Sequence, residues 1–555
     1  MTETISTADI EKLGAGPGLI APKRLNVDAY VRDFNTTVID AYRRGVADVE
    51  LPADEGVGRS LMGPATAGIR DFSSLSPLIP AFTAEKCVGC MACVSACPDS
   101  AIVATAQPKG ALGRAIEEFA ATQPNPELAA STAKSHFVHT TKYADVPAKK
   151  GIEPADFGLF IDPMHCKGCA ECVDVCVAQG HDALSMFEKC DCEPSGECTV
   201  DRYRRDIKFL RTLPATPQAY RNEKALADLM LGEHAFGFVG GGGSCSGCGE
   251  GTIVRMLVAA TLQVNGPESM GIVAETGCNT VFASTYPFNP FTVPWTNSLF
   301  ENSPADAMGI RLRWDQAGHP ERRLWAFGGD GAMYDIGFQS LSRMVASGMD
   351  IKVLVLDTGA YSNTGGQAST ASFTSQVAKL AAYGKAEHGK HERRKELGRI
   401  MIAHGEAYVA QVAASNINHF YKAVMEANAY PGPAVLIAYA PCMPENGIPD
   451  DAANRQAKLA IDSRAFPLFT YDPRRGESLA ERLSLQGNPA VKEDWTKGPD
   501  GSTFDFIAFA RTEGRFAQHF DKEGNPSVEL QSSQEDRLAN WHTLQEMAGV
   551  LRSGH

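Results

Sequence analysis

Eight cysteines fall in two runs of one spacing. Cys87, Cys90, Cys93 and Cys97 read C-x-x-C-x-x-C-x-x-x-C followed by Pro98, and Cys166, Cys169, Cys172 and Cys176 repeat the pattern. Three thiolates on a tight loop can face three irons of one cubane cluster, while the fourth, carried off on a short helix, reaches a second cube. On that rule one [4Fe-4S] cluster takes Cys87, Cys90, Cys93 and Cys176. The other takes Cys166, Cys169, Cys172 and Cys97. Zinc competes for any single C-x-x-C, but two full runs are hard to explain as zinc ribbons. Val177 replaces the proline usual after the second run, which alters a turn and removes no ligand. Two such clusters conduct electrons, so their role depends on what lies at each end.

A second group begins in FVGGGGSCSGCGEG, which places Cys245 and Cys248 in a glycine-rich turn ahead of Glu250 and a helical pattern from Thr252. Glycine there lets backbone pass close to an inorganic or phosphate group, although a run of glycines also suits a flexible linker. Cys278 and Cys442 are single cysteines, each just after an apolar strand-like run. A lone cysteine is often a small buried hydrophobe. Four cysteines at the ends of α/β elements could instead enclose a third cluster, because strand ends converge on one edge of a sheet. A third group lies in LWAFGGDGAMYDIGFQSLSRMVASGMDIKVLVLDTGAYSNTGGQ. It reads as a strand (Leu324–Phe327), a turn, a helix (Asp335–Ser347), a strand (Ile351–Leu356) and a loop. That βαβ unit sets Asp330 and Thr358 at neighbouring strand ends. Their hard oxygens, with backbone carbonyls, suit Mg²⁺ bridging a diphosphate. A lone GDG occurs in ordinary turns; GDG followed at this distance by a strand and an Asn-bearing loop is the more specific thiamine-diphosphate pattern.

Two stretches stay open. Cys190, Cys192 and Cys198 sit in the acidic KCDCEPSGEC, which reads as a separate metal site or as a loop with incidental or redox-sensitive thiols. The basic run AAYGKAEHGKHERRKEL at 381–397 reads as a solvated helix face or as a docking patch for an acidic ferredoxin.

The elements that must hold these residues follow from pattern and composition. The 555 residues suffice for several cores, and 44% hydrophobic with 21% charged residues is the balance of a globular chain. A formal charge of −14 argues against a nucleic-acid surface. An odd total of 15 cysteines, mostly clustered, argues against a secreted disulfide scaffold. No signal peptide and no apolar span of transmembrane length is evident, so a cytoplasmic location with no membrane span is expected. The expected division is an N-terminal extension of unknown role at 1–75, and a ferredoxin-like domain at 76–205 with an insertion at about 104–150. An α/β domain at 206–450 and a C-terminal wrapping segment at 451–555 complete it, with helix-like sequence near Val27 to Val46 and from Gln534 to Leu551.

From about residue 80 onward the chain resembles the C-terminal half of the long, single-chain pyruvate:ferredoxin oxidoreductases. The resemblance rests on the paired cysteine runs, SCSGCGE, ETGC, WTNSLFEN, GDGAMYDIG, DTGAYSNTGGQ, YAPC and FPLFTYDPR, in the family's order. It implies an α/β thiamine-diphosphate-binding domain, a parallel sheet with flanking helices, beside a small α+β dicluster ferredoxin-like domain. It implies a proximal [4Fe-4S] cluster on Cys245, Cys248, Cys278 and Cys442, the third of three, and Mg²⁺ on Asp330, Thr358 and the Ala360 carbonyl. Thiamine diphosphate would be held by Glu250, Cys278, Gly329, Asp330, Gly331, Ala332 and the loop Thr358, Gly359, Ala360, Tyr361, Ser362 and Asn363. Glu250, Asn363 and Asn297 are the implied catalytic residues, with both asparagines facing the 2-oxoacid. The implied reaction is oxidative decarboxylation of pyruvate with coenzyme A to acetyl-CoA and CO₂, reducing ferredoxin or flavodoxin, and it is reversible. Residues 1–75 show no counterpart of the family's N-terminal half, which carries the activating glutamate and most of the coenzyme A surface. An obligate second subunit is therefore expected, giving a dimer of heterodimers. The same chemistry on another 2-oxoacid, and an electron-transfer subunit without catalysis, are the rival expectations.

Overall fold

The computed structural model describes residues 40–46, 64–190, 198–232, 237–266, 269–283 and 288–551, together with 36 and 285. Most of the 1–75 extension and Cys192 lie outside the described residues. Of the helical stretch expected near Val27 to Val46, the helix Asp40–Arg44 is described.

The small cysteine-bearing unit is two copies of one strand–loop–helix–strand half. The first is β1 (Leu78–Phe82), α1 (Ala92–Ala96) and β2 (Ile102–Pro108). The chain then leaves through helices Lys109–Ala121 and Pro126–Ser135 and strand β3 (Phe137–His139). It returns as β4 (Ala155–Ile161), α2 (Glu171–Ala178) and β5 (Leu184–Glu188). β1 pairs antiparallel with β5, and β2 antiparallel with β4, so the halves face each other across a pseudo-twofold axis. The two ligand loops share one geometry. Gly89 and Gly168 both have φ of 72°, and Met91 and Ala170, just ahead of the helices, have φ of 69° and 67°. Left-handed backbone at non-glycine residues costs about 1–2 kcal/mol, so the loops are held there by packing: a Cβ on Gly168 would lie 2.2 Å from Ser76 Oγ.

The larger unit opens with α3 (Gly249–Asn265) and builds one eight-stranded sheet. Its strands are β6 (Met270–Glu275), β7 (Trp295–Ser298), β8 (Arg323–Gly329), β9 (Ile351–Asp357), β10 (Tyr408–Ala413), β11 (Ala434–Tyr439), β12 (Phe469–Tyr471) and β13 (Leu483–Ser484). They lie in the order β13-β12-β10-β11-β9-β8-β6-β7. The six strands from β10 to β7 are parallel, and β12 and β13 add antiparallel at the edge. Parallel strands are covered on both faces and read as near-continuous apolar runs; β9 (IKVLVLD) and β11 (AVLIAY) are buried throughout. One face of the sheet packs on α3 and, beyond it, the cysteine-bearing unit, in a single apolar core. The other packs on α4 (Phe338–Ala346) and the chain's end.

Two expected elements differ. The helix after GDG begins at Phe338 instead of Asp335, with a π-type turn over Gly331–Ile336 before it. Asp335 is taken by the neighbouring loops: it accepts from Tyr361 Oη (2.5 Å) and from Thr370 N (3.1 Å). The segment 451–555 does more than wrap. It supplies β12 and β13, and buries Phe506, Phe509, Phe516 and Trp541 under the sheet. Its last helix, α5 (Val528–Met547), starts six residues before the expected point because Ser527 Oγ caps Leu530 N at 3.2 Å. Among the described residues no helix is long and apolar enough to cross a membrane.

Candidate functional site at the carboxyl edge of the sheet

Parallel strands all deliver their C-terminal ends to one edge, where open α/β sheets bind ligands. Here β11, β9, β8 and β6 are neighbours, and the residues just past their ends are Cys442, Thr358, Asp330 and Cys278. The N-terminus of α3 meets the same edge, since Gly249 N donates to Pro441 O at 3.3 Å. Cys248 and Glu250 arrive with it.

A cleft of about 650 Å³, including its open mouth, runs along this edge. It is lined by Glu250, Cys278, the Gly329–Ala332 turn, Thr358 and the loop Ala360 to Thr364, with Phe300 and Ile336 on the apolar side. On its floor Thr358 Oγ1 lies 3.1 Å from Asp330 Oδ1, 2.9 Å from Ala360 O and 2.8 Å from Ser362 Oγ. Ser369 Oγ donates to the other Asp330 oxygen at 2.5 Å. Burial, and then the charge of Asp357, push the Asp330 carboxyl up to about 7. Burial, and then Asp330, push Glu250 up to about 8, and Glu250 Oε2 is buried with no hydrogen-bond partner. A Cβ on Gly331 would meet the Tyr361 ring at 2.7 Å, whereas one on Gly329 would meet open space. The turn is therefore clamped on one side and free on the side of the cleft.

A second cavity, of about 540 Å³, lies against the first and is lined by Cys245, Cys248, Cys278 and Cys442 with Phe282, Pro441 and Met443. Glu250, Cys278, Thr358 and Asn363 line both. Burial pushes the Cys442 thiol up to about 11 and raises Cys248 and Cys278 further.

The two repeated runs separate into crossed sets. Cys87, Cys90, Cys93 and Cys176 line one apolar pocket with Phe82 and Leu184. Cys97 instead lies within electrostatic reach of Cys166, Cys169 and Cys172. Burial pushes Cys87 up to about 11 and Cys166 up to about 12.

Residues 275–438 match the C-terminal TPP-binding domain of thiamine pyrophosphate enzymes, and residues 86–180 match the 4Fe-4S dicluster domain. The probable pyruvate-flavodoxin oxidoreductase of Escherichia coli (strain K12) is 29% identical over 531 residues, which cover 82% of this chain and 41% of that protein. The pyruvate:ferredoxin oxidoreductase of Moorella thermoacetica is 28% identical over 509 residues, covering 77% of this chain and 39% of that one. This chain is similar in sequence to pyruvate:ferredoxin and pyruvate-flavodoxin oxidoreductases. It spans about two fifths of the length of these relatives. Among solved structures, a 2-oxoglutarate:ferredoxin oxidoreductase from Magnetococcus marinus superposes with a TM-score of 0.31 at 24% identity, covering 36% of this chain and 63% of that one.

Of the residues expected to hold thiamine diphosphate and Mg²⁺, Glu250, Cys278, Gly329, Asp330, Gly331, Ala332, Thr358, Ala360, Tyr361, Ser362 and Asn363 line the cleft, and Gly359 does not. Asn297 is exposed on the edge strand β7, opposite Ala274, and lines neither the cleft nor the neighbouring cavity. The basic run is not the solvated helix face expected of it, although its Lys385, His391 and Arg393 are exposed. Residues 381–396 are not helical, and Lys390 and Arg394 are buried. Arg394 pairs with Asp357 at the end of β9 and donates to Ala371 O. Four residues emerge that sequence reasoning missed. Asn446 donates to Thr358 O (3.2 Å) and accepts from Cys442 N (2.8 Å), tying the two cavities together. Arg515, fully buried with Glu513, also reaches Thr358 O at 3.4 Å. Ser372 and Gln376 both donate to Gly359 O, at 2.6 and 2.7 Å. Asn446 had a local signal, four residues after Cys442. Arg515 had none, because its contact spans 157 residues.

Proposed function

We propose that this chain is the thiamine- and iron–sulfur-bearing part of a 2-oxoacid:ferredoxin oxidoreductase, acting on pyruvate with coenzyme A as acyl acceptor. The observation that carries the reading is the shared wall: Glu250, Cys278, Thr358 and Asn363 line both the cleft and the four-thiol cavity. A two-electron donor that must feed one-electron carriers needs the first carrier beside it. That adjacency has no purpose in a decarboxylase alone.

The residues present fit the groups the reading requires. Asp330 Oδ1, Thr358 Oγ1 and the Ala360 carbonyl are hard oxygens gathered within about 3 Å of the Thr358 hydroxyl. They would hold Mg²⁺ and, through it, a diphosphate. The buried, unpartnered Glu250 Oε2 is the kind of orphan a cofactor's N–H or O–H group satisfies. Each set of four thiols would hold one [4Fe-4S] cluster, three in all, because four thiolates are the ligand set such a cluster takes. Among the described residues no group of three or more His, Cys, Asp or Glu side chains is arranged around a single ion.

When bound, thiamine diphosphate supplies a carbanion that adds to the keto carbon and an electron sink for the bond to CO₂. This chain's part is to anchor the diphosphate at Asp330 and Thr358 and to keep the apolar side of the cleft dry with Phe300 and Ile336. Asn363 presents an amide at the boundary of cleft and cluster cavity. Electrons would leave through the Cys245 set, then the Cys97–Cys166 set and the Cys87 set, to ferredoxin or flavodoxin. A partner chain would bring the activating glutamate and most coenzyme A contacts, in a dimer of heterodimers in the cytoplasm.

The test is anaerobic co-purification with any tightly bound partner, followed by iron and thiamine analysis. A panel of 2-oxoacids is then assayed with coenzyme A and a viologen dye. The expected result is about twelve irons per chain, bound thiamine diphosphate, and dye reduction with pyruvate only when the partner is present. Eight irons or fewer in a fully loaded sample would remove the third cluster. Turnover by this chain alone would remove the partner.

A further inference from the structure

The two halves of the dicluster unit match in backbone geometry but differ in their surroundings. Around the set of Cys97, Cys166, Cys169 and Cys172 gather two buried cations, Arg255 and Lys167, and the half-buried Lys189. Arg255, on α3 and 2% exposed, donates from Nε to Cys97 O at 2.8 Å and from Nη2 to Val94 O, closing the carbonyl end of α1. Thr252, one turn earlier, donates to Ala96 O at 3.0 Å. Lys167, between Cys166 and Gly168, is equally buried and pairs with Asp99 at 2.7 Å. Its ammonium also donates to Gly242 O (3.0 Å) and Ser244 O (2.8 Å), in the loop that carries Cys245. Lys189 stands within electrostatic reach of Cys166. Against these three cations stand the buried carboxylates of Asp99, which Arg255 and Lys167 share, and of Asp162, which accepts from Met164 N and faces the His165 ring. Glu171 turns its carboxylate away, to the N–H groups of Ala453 and Asn454. The pocket of the other set is lined, beside its four thiols, by apolar residues and His181, with no Lys or Arg. Lys86 beside it is paired at the surface with Asp182.

We propose that Arg255 is a positioning and potential-setting residue of the relay: its buried guanidinium raises the reduction potential of the cluster held by Cys97, Cys166, Cys169 and Cys172 above that of the cluster held by Cys87, Cys90, Cys93 and Cys176. Adding an electron to a cluster adds a negative charge, and a fixed cation in a medium of low dielectric stabilises that charge far more than one in water. The electron leaving the Cys245 set then rests on the inner of the two ferredoxin-type clusters. Lys167 fixes the path between them, since it belongs to one ligand loop and grips the other. The inference rests on the reading that each thiol set holds a [4Fe-4S] cluster.

The experiment is a potentiometric titration, followed by electron paramagnetic resonance, of the anaerobically purified chain with its clusters and any partner. Arg255→Met is compared with Arg255→Lys and Asp99→Asn. One midpoint of the three is expected to move negative in Arg255→Met, to stay near the wild-type value in Arg255→Lys, and to move positive in Asp99→Asn, with the other two unchanged. Lysine keeps the charge but cannot span both carbonyls, so equal shifts in the Met and Lys variants would make Arg255 a structural prop and overturn the proposal. So would an unmoved midpoint in Arg255→Met, or loss of about four irons from both Arg255 variants. Wild-type protein lacking the two dicluster signals would instead overturn the cluster reading itself.

Discussion

Arg394 and Asp357 form an ion pair in which both side chains are almost wholly removed from water, directly behind Thr358. Asp357 also accepts from Tyr334 Oη at 2.6 Å and from Gly359 N at 3.2 Å. One carboxylate therefore sets the backbone of the candidate diphosphate loop, and its counter-charge comes from the basic run 37 positions downstream. Removing one member of such a pair leaves an uncompensated buried charge and costs about 3–5 kcal/mol. Arg394→Met should lower stability by that amount in urea unfolding, and should weaken thiamine diphosphate binding in the fraction that stays folded.

Asp330 offers a sharper separation of binding from folding. Asp330→Asn keeps a side chain able to meet Ser369 and Thr358 and deletes the charge a divalent cation needs. Loss of a charged partner is worth about 1.5–3 kcal/mol, or about 10–100-fold in affinity. Titration with thiamine diphosphate and Mg²⁺, followed by protein fluorescence, should show that weakening with an unchanged unfolding midpoint.

Asn446 links the two cavities, so its removal should be felt in both. Asn446→Ala leaves Cys442 N and Thr358 O each short of one partner. The expected outcome is a broadened or shifted resonance from the cluster at Cys245, Cys248, Cys278 and Cys442, with the dicluster signals unaltered. Cys442→Ser should go further, lowering the iron content from about twelve to about eight per chain.

His419 supplies a pH dependence far from any cysteine set. It is buried on the helix Ile417–Ala429, neither ring nitrogen has a hydrogen-bond partner, and burial, then Lys422, push its pKa down to about 4. In the unfolded chain it would titrate near 6.5. Between those values the unfolded state binds the proton and the folded state does not, so stability rises with pH. The contribution is full above about pH 6.5 and is lost at up to about 1.4 kcal/mol per pH unit on the way down to about 4. Urea midpoints measured from pH 5 to 7.5 should show this slope in wild type and a flatter one in His419→Phe.

Much of the chemistry was legible because it is local. Cysteine spacing within one loop depends on a few bond lengths, so the two runs at Cys87 and Cys166 announced their geometry without a tertiary structure. GDG at one strand end and Thr358 at the next were legible for a similar reason: adjacent parallel strands joined by a short crossover end on the same edge. The buried, continuous apolar runs of β9 and β11 likewise advertised a sheet covered on both faces.

The sequence failed where charge and distance traded places. A run of Lys and Arg carries the same letters whether it is solvated or paired in the interior; only the packed structure reveals that Arg394 faces Asp357 and Lys390 faces Ser372 O. Nor does spacing tell that Arg515 closes on Thr358, or that Arg255 caps the helix bearing Cys97, across 158 residues. Thus the sequence by itself determined which thiols and hard oxygens are the candidates for iron, magnesium and diphosphate, because such preferences belong to side-chain chemistry and short loops. Only the tertiary structure decided which of them share a wall and which buried cations stand behind them, because such contacts arise from packing between segments far apart in the chain.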